Sequence, residues 1–169
     1  MYHLRGFLNF CRYFTGCDVG QCVSACPQGW EPRGDSCYFW SLAAETWDDA
    51  EDSCKALDSH LASVPSSSIR KYILNSMKRK NIYKLWLGGN DKSKEGIWEW
   101  PDCNIFGFTS WASGEPNNAA KKEHCMEMVQ EWVAGERGEG MWNDVPCATA
   151  WYKHRYVCRK QRCEGKFKN

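Results

Sequence analysis

Apolar and polar positions change character at Cys26. Residues 1–25 show little periodicity and carry Cys11, Cys17 and Cys22, which is the pattern of a short extension tied down by disulfides. From Cys26 onward, segments 26–30 and 35–40 read as two short strands joined by a turn at Pro32 to Gly34. Cys26 and Cys37 are placed to close that hairpin. Thr46 then offers a helix cap, followed by Asp48, Asp49 and Glu51, acids that a helix N-terminus favours. Trp47, Ala50, Cys54 and Leu57 recur at helical spacing and predict one buried stripe. Residues 60–64 read as a strand. Ser66 or Ser68 caps a second predicted helix, with Ile69, Tyr72, Ile73 and Met77 facing inward and Lys78, Arg79 and Lys80 in the last turn.

Beyond that helix the period changes. Segments 83–88, 97–100, 125–132 and 152–158 are strand-like. Between them, residues 101–123 form a loop-rich stretch with Gly107, Gly114, Pro116, Asn117 and Asn118. Compact domains rarely keep so long a loop unless it carries function. Residues 134–140 read as a Gly-rich charged turn. Two early helices followed by strands predict an α+β domain with an antiparallel sheet. The expected organisation is an extension over 1–25, one domain over 26–160 and a basic tail over 161–169.

Composition narrows the setting. Lys plus Arg number 22 and Asp plus Glu 21, so the net charge is +1 and nothing points to nucleic acid or an anionic membrane. No apolar run approaches the roughly 18 residues of a membrane span. The first residues lack the apolar stretch of a signal peptide, and the chain is read as a mature secreted form. Eleven cysteines without Cys-x-x-Cys spacing point to disulfides and an oxidising compartment. The odd count leaves at least one unpaired or bonded to a second chain. Ten tryptophans supply large aromatic packing.

The chemistry gathers in three pieces: Glu115-Pro116-Asn117, then Glu123, then Asn143-Asp144 after Trp142. They supply three carboxylates and two amide oxygens, a hard donor set that suits calcium and not zinc. A bond between Cys125 and Cys147 would hold the second and third pieces at one place. A proline between two donor residues permits a cis bond at small cost.

Taken in order, these residues resemble a long-form C-type lectin-like domain over about residues 26–159. Trp86-Leu87-Gly88-Gly89 is similar to the family's Trp-Ile-Gly-Leu segment, and Trp142-Asn143-Asp144 to its Trp-Asn-Asp signature. The resemblance implies three disulfides: Cys26–Cys37, Cys54–Cys158 and Cys125–Cys147. It implies that Glu115, Asn117, Glu123, Asn143 and Asp144 form a primary calcium site where a sugar's vicinal hydroxyls bind. The Glu-Pro-Asn form implies mannose, N-acetylglucosamine or fucose, and the Gln-Pro-Asp form galactose. Swapping donors and acceptors around the ion changes which hydroxyl geometry fits. Asp91 and Glu95 match two ligands of a second calcium site. Asn118 and His124 stand where the family has acids, so that site is expected to be weak or empty. Ala119 stands where some relatives place a bulkier group against the sugar, which implies low affinity for a single sugar.

The remaining signals read more plainly. Trp86, Trp98, Trp100, Trp111 and Trp142 are expected in the core. Arg33-Gly34-Asp35 spells an integrin-type tripeptide on a turn, a combination that charged glycine turns often produce. His3, His60, His124 and His154 are scattered, and no catalytic residue emerges. The carboxylates read as ligands of one ion rather than as the pair that flanks a bond in a glycosidase. The chain is therefore expected not to be an enzyme. A glycan-binding module is the leading reading and an ice- or mineral-adsorbing protein the alternative. Cys11, Cys17, Cys22, Cys103 and Cys163 fall outside the implied pairs, and a disulfide-linked homodimer is the partnering they favour.

Overall fold

A computed structural model describes residues 25–131 and 139–162. Cys11, Cys17, Cys22 and Cys163, with the extension and the tail that hold them, lie outside the described residues, as do residues 132–138.

Strands β1 (Glu31–Arg33) and β2 (Ser36–Trp40) form the opening hairpin, with Glu31 opposite Tyr38. The first strand begins later than segment 26–30, because Trp30 N–H donates to Pro27 O at 3.1 Å and Gly29 takes a φ of +85°. That closes a turn where extension was expected. Arg33-Gly34-Asp35 forms the tip of this hairpin.

Helix α1 (Trp47–Lys55) starts where Thr46 Oγ1 accepts from Asp49 N–H at 3.3 Å. It buries Trp47, Ala50, Glu51 and Cys54, whereas Leu57 lies past its end and is 38% exposed. Strand β3 (His60–Leu61) is shorter than the expected 60–64. Helix α2 (Ser67–Arg79) is capped by Ser66 rather than Ser68, with Ser66 Oγ accepting from Ile69 N–H at 3.3 Å. It buries Ile73, Leu74 and Met77, while Ile69 and Tyr72 pack against the core edge.

Four more strands complete the domain: β4 (Lys84–Asn90), β5 (Cys125–Val129), β6 (Met141–Val145) and β7 (Arg155–Gln161). The sheet runs β1-β2-β7-β4-β5-β6, with β3 also paired to β7. It is mixed, not antiparallel: β4 and β7 pair in parallel. Side-chain alternation reports which face a strand buries and carries no direction, so this pairing was invisible along the chain. Segment 97–100 supplies only a bridge from Glu99 to Asn90. Strand β6 was not among the expected elements.

Disulfides Cys26–Cys37, Cys54–Cys158 and Cys125–Cys147 are formed. The main core packs α2 against the sheet through Tyr38, Ile73, Met77, Leu85, Met126 and Trp142. A second cluster packs α1 against β3, β4 and β7 through Trp47, Cys54, Leu61, Trp86 and Tyr156. Gly88 is required at the crossing, since a Cβ there would lie 2.5 Å from Leu61 O and 2.8 Å from Pro101 Cδ.

Candidate functional site

The long loop is held by aromatic packing rather than by regular structure. Trp142 on β6 is fully buried, with ring centroids of Trp100 at 5.9 Å, Phe108 at 5.7 Å and Trp111 at 5.8 Å. Trp98 stacks edge-on against Trp111 at 4.5 Å. Loop backbone pairs with β6 on either side of these rings: Trp142 N–H donates to Ser110 O at 2.8 Å and Ala112 N–H to Trp142 O at 2.9 Å. Glu115 N–H then donates to Ala112 O at 3.0 Å, and the Glu115–Pro116 peptide is cis. Segment 115–118 is thereby laid beside the end of β6.

There a circuit of hydrogen bonds joins the three predicted pieces. Asp144, 1% exposed, accepts from Asn117 N–H at 3.1 Å through Oδ1 and from Asn118 N–H at 2.7 Å through Oδ2. Asn118 Oδ1 accepts from Glu123 N–H at 3.1 Å, and Glu123 Oε2 accepts from Ala119 N–H at 2.9 Å. The turn at Asn118 is left-handed, with φ of +43°. Asn is among the side chains that tolerate that region. Burial, with Asp144 and Glu127 nearby, pushes the Glu123 carboxyl above its ordinary range, although Ala119 N–H works the other way. Among the described residues, hydrogen bonds tie Asn117, Glu123 and Asp144 directly; Glu115 is placed through its loop backbone and Asn143 through its neighbour on β5.

That neighbour is Glu127, directly opposite Asn143 in the β5–β6 register. Glu127 is fully buried. Its Oε1 accepts from Asn143 Nδ2 at 3.1 Å and Lys84 Nζ at 3.0 Å, and His154 Nε2 lies 2.9 Å from its Oε2. Burial alone would raise the Glu127 carboxyl, but the hydrogen bond from His154, the charge of Lys84 and the bond from Asn143 outweigh it and hold it below the ordinary range. With one Nδ2 hydrogen committed to Glu127, the Asn143 Oδ1 and the second Nδ2 hydrogen are left to a ligand. Glu127 was not singled out in the sequence. Its signal was an acid flanked by Met126, Met128 and Val129 in a strand, where charge is rarely buried without partners.

Hydrogen bonds bring the Asn117 and Asn118 backbone to Asp144, and Glu123 to the 118–119 turn; with Glu115 and Asn143 these residues offer three carboxylates and two amide oxygens, chemistry that would suit calcium. Glu115, Asn117, Glu123, Asn143 and Asp144 are the residues that would hold it.

A second cluster lies at the other side of Asn118. Asp91, at the end of β4, is 2% exposed, and its Oδ2 accepts from Gly96 N–H at 2.8 Å. His124 Nδ1 lies 3.0 Å from Asp91 Oδ1 and 3.4 Å from Glu95 Oε2. Asn118 Nδ2 donates to Glu95 Oε2 at 2.5 Å. The two acids expected at a second calcium site are thus together, but what joins them is an imidazole nitrogen and an amide N–H.

Comparison with known proteins agrees with this fold. The family model described as Lectin C-type domain matches residues 43–160, well over half of the chain. A C-type lectin from Micrurus corallinus is 34% identical over 164 residues, covering 92% of this chain and 96% of that protein. A type-2 ice-structuring protein from Hemitripterus americanus is 33% identical, covering 79% of this chain and 73% of that protein. Among solved structures, the C-type lectin CEL-I from Cucumaria echinata superposes with a TM-score of 0.70 at 29% identity, covering 79% of this chain and 96% of that one.

Proposed function

We propose, from the premise that the chain belongs to the C-type lectin family, that it binds sugars of the mannose, N-acetylglucosamine and fucose type through calcium at the 115–144 rim. The family binds carbohydrate without catalysing a reaction, and its domains typically use calcium. Glu115, Asn117, Glu123, Asn143 and Asp144 are the ligands in this reading. Bound calcium supplies coordination positions for two vicinal hydroxyls. The carboxylates then accept from those hydroxyls, and the amides of Asn117 and Asn143 donate to them.

One observation carries the reading: Asp144, buried on β6, grips the backbone of Asn117 and Asn118 and so fastens the Glu-Pro-Asn turn to the sheet. Ala119 beside it is exposed and small, in keeping with low affinity for a single sugar. Secretion and a disulfide-linked homodimer complete the proposal, the dimer raising avidity through paired sites. Among the described residues no helix is long and apolar enough to cross a membrane. The domain boundaries proposed are 26–160 for the sugar-binding unit, with the extension and tail outside it.

A second reading has its own support, since one relative is an ice-structuring protein. Immobilised mannose separates the two. Retention in calcium, release by chelator and no release by galactose support the sugar reading. Glu115→Gln with Asn117→Asp should then shift preference to galactose. Calcium uptake without retention on any sugar column, together with thermal hysteresis, supports the alternative.

A further inference from the structure

We infer that Asp91, Glu95 and His124 form a binding site for zinc or a similar borderline transition ion, separate from the calcium rim. The three residues bring one ligand atom each within 4.8 Å of one another. His124 Nδ1 stands 3.0 Å from Asp91 Oδ1 and 3.4 Å from Glu95 Oε2. Tetrahedral zinc with bonds of about 2.1 Å requires ligand-to-ligand edges of about 3.4 Å. The two edges at His124 Nδ1 already approach that value, and the third, between the two carboxylate oxygens, lies within 4.8 Å.

The identity of the ion follows from the donors. Calcium takes six to eight oxygens and has no use for an imidazole. Zinc, copper and nickel take imidazole readily, and zinc sites with three protein ligands leave one position for water. Asn118 does not restore an oxygen here. Its Oδ1 is committed to the backbone N–H of Glu123 at 3.1 Å, which fixes the amide so that Nδ2 faces Glu95. A backbone donor allows only that orientation, since an N–H facing an NH2 would leave both without an acceptor.

The site is also built. Asp91 is 2% exposed, and its second oxygen is held by Gly96 N–H at 2.8 Å, in a turn where Gly96 has φ of +77°. Asp91 N–H donates to His124 O at 3.2 Å, which ties together the end of β4 and the start of β5, where these two ligands stand. Asp91 Oδ1 is thereby aimed at His124 before any ion binds. Glu95 is 56% exposed and closes the set from the solvent side.

The test is a titration of the full chain with zinc chloride in buffer saturated with calcium and free of sugar. One zinc per chain is expected, and raising calcium should not displace it. His124→Gln should weaken uptake by more than about tenfold, as loss of a metal-site residue does. Glu95→Gln, a change at an exposed side chain that cannot endanger the fold, should weaken it as well. Cobalt bound in place of zinc should show the intense visible bands of a four-coordinate ion, absent from the His124→Gln protein. Mannose retention should persist in both variants, so failure of this inference is distinguishable from failure of the sugar site. No zinc uptake overturns it. Equal uptake by the variants overturns it too, because zinc then sits elsewhere. Displacement by calcium at equal concentration also overturns it and makes the cluster a calcium site.

Discussion

Replacing Glu127 separates its two roles, holding the sheet together and aiming Asn143. In Glu127→Gln the side chain keeps its size, and its carbonyl still accepts from Asn143 Nδ2 and Lys84 Nζ. Its amide replaces the oxygen that faces His154. What is lost is charge and the oxygen that faces His154. A hydrogen bond to a charged group contributes about 1.5–3 kcal/mol. Lys84 is 46% exposed, so its share falls to the surface value of under about 1 kcal/mol. The loss should total about 2 kcal/mol, which lowers the melting temperature by roughly 4–8 °C in a domain of this size. Glu127→Ala goes further. It leaves a cavity and strips both His154 and Asn143 of their buried partner, at a cost of about 3–5 kcal/mol. Denaturant unfolding in chelator measures both. Calcium titration then reads the second role: the Ala variant should bind about 10–100 times more weakly, as removal of a residue that orients a metal ligand does. The Gln variant, with its acceptor intact, should stay within a few-fold of the wild type. An Ala variant that is destabilised but binds calcium unchanged would refute the argument, because Asn143 would then not depend on Glu127.

Gly88→Ala should cost at least about 2 kcal/mol, since a backbone carbonyl and a proline ring cannot step aside, whereas Gly89→Ala should cost less because the atoms nearest its Cβ, Met126 Cε at 2.4 Å and Sδ at 2.8 Å, end a flexible chain; chemical denaturation ranks the two. Asp102→Ala should destabilise by about 3–5 kcal/mol, because Arg159, 8% exposed, donates to Asp102 Oδ2 at 2.7 Å and would be left a buried charge; an unchanged unfolding midpoint would contradict this. Tyr72 is pushed up to about 12 from the ordinary 10 by burial and by Glu31, whose Oε2 accepts its hydroxyl at 3.1 Å. A raised value means that the unfolded chain ionises first, so this stability is present below pH 10 and is lost as pH rises towards 12. Alkaline melting curves of the wild type should therefore fall more steeply over that range than those of Tyr72→Phe.

The helices were legible because their information is local. Thr46 and Ser66 cap them, and Trp47, Ala50, Cys54, Ile73 and Met77 mark their inner faces at helical spacing. Leu57 continued that spacing past the helix end, and periodicity by itself does not say where a helix stops. The carboxylates and amides around Pro116 stood out for a different reason: crowded into a long loop, they have few other uses, and the calcium proposal starts from them. Trp142, Trp100 and Trp111 were readable as core, but their closing together with Phe108 to hold that loop in place was not.

Along its own length, the chain determined which residues cap, which bury and which carry hard oxygen donors, because each of those properties belongs to a side chain and its near neighbours. Strand direction does not. β4 and β7 run parallel because of how 64 residues between them return, a property of the whole path. Partnership across the sheet does not either. Glu127 faces Asn143 only through the β5–β6 register, and His124 meets Asp91 only where two strand ends converge. Only the tertiary structure could set an acid of an apolar strand against an amide of the next, and a histidine nitrogen against two acids, because both depend on distances between residues far apart in the chain.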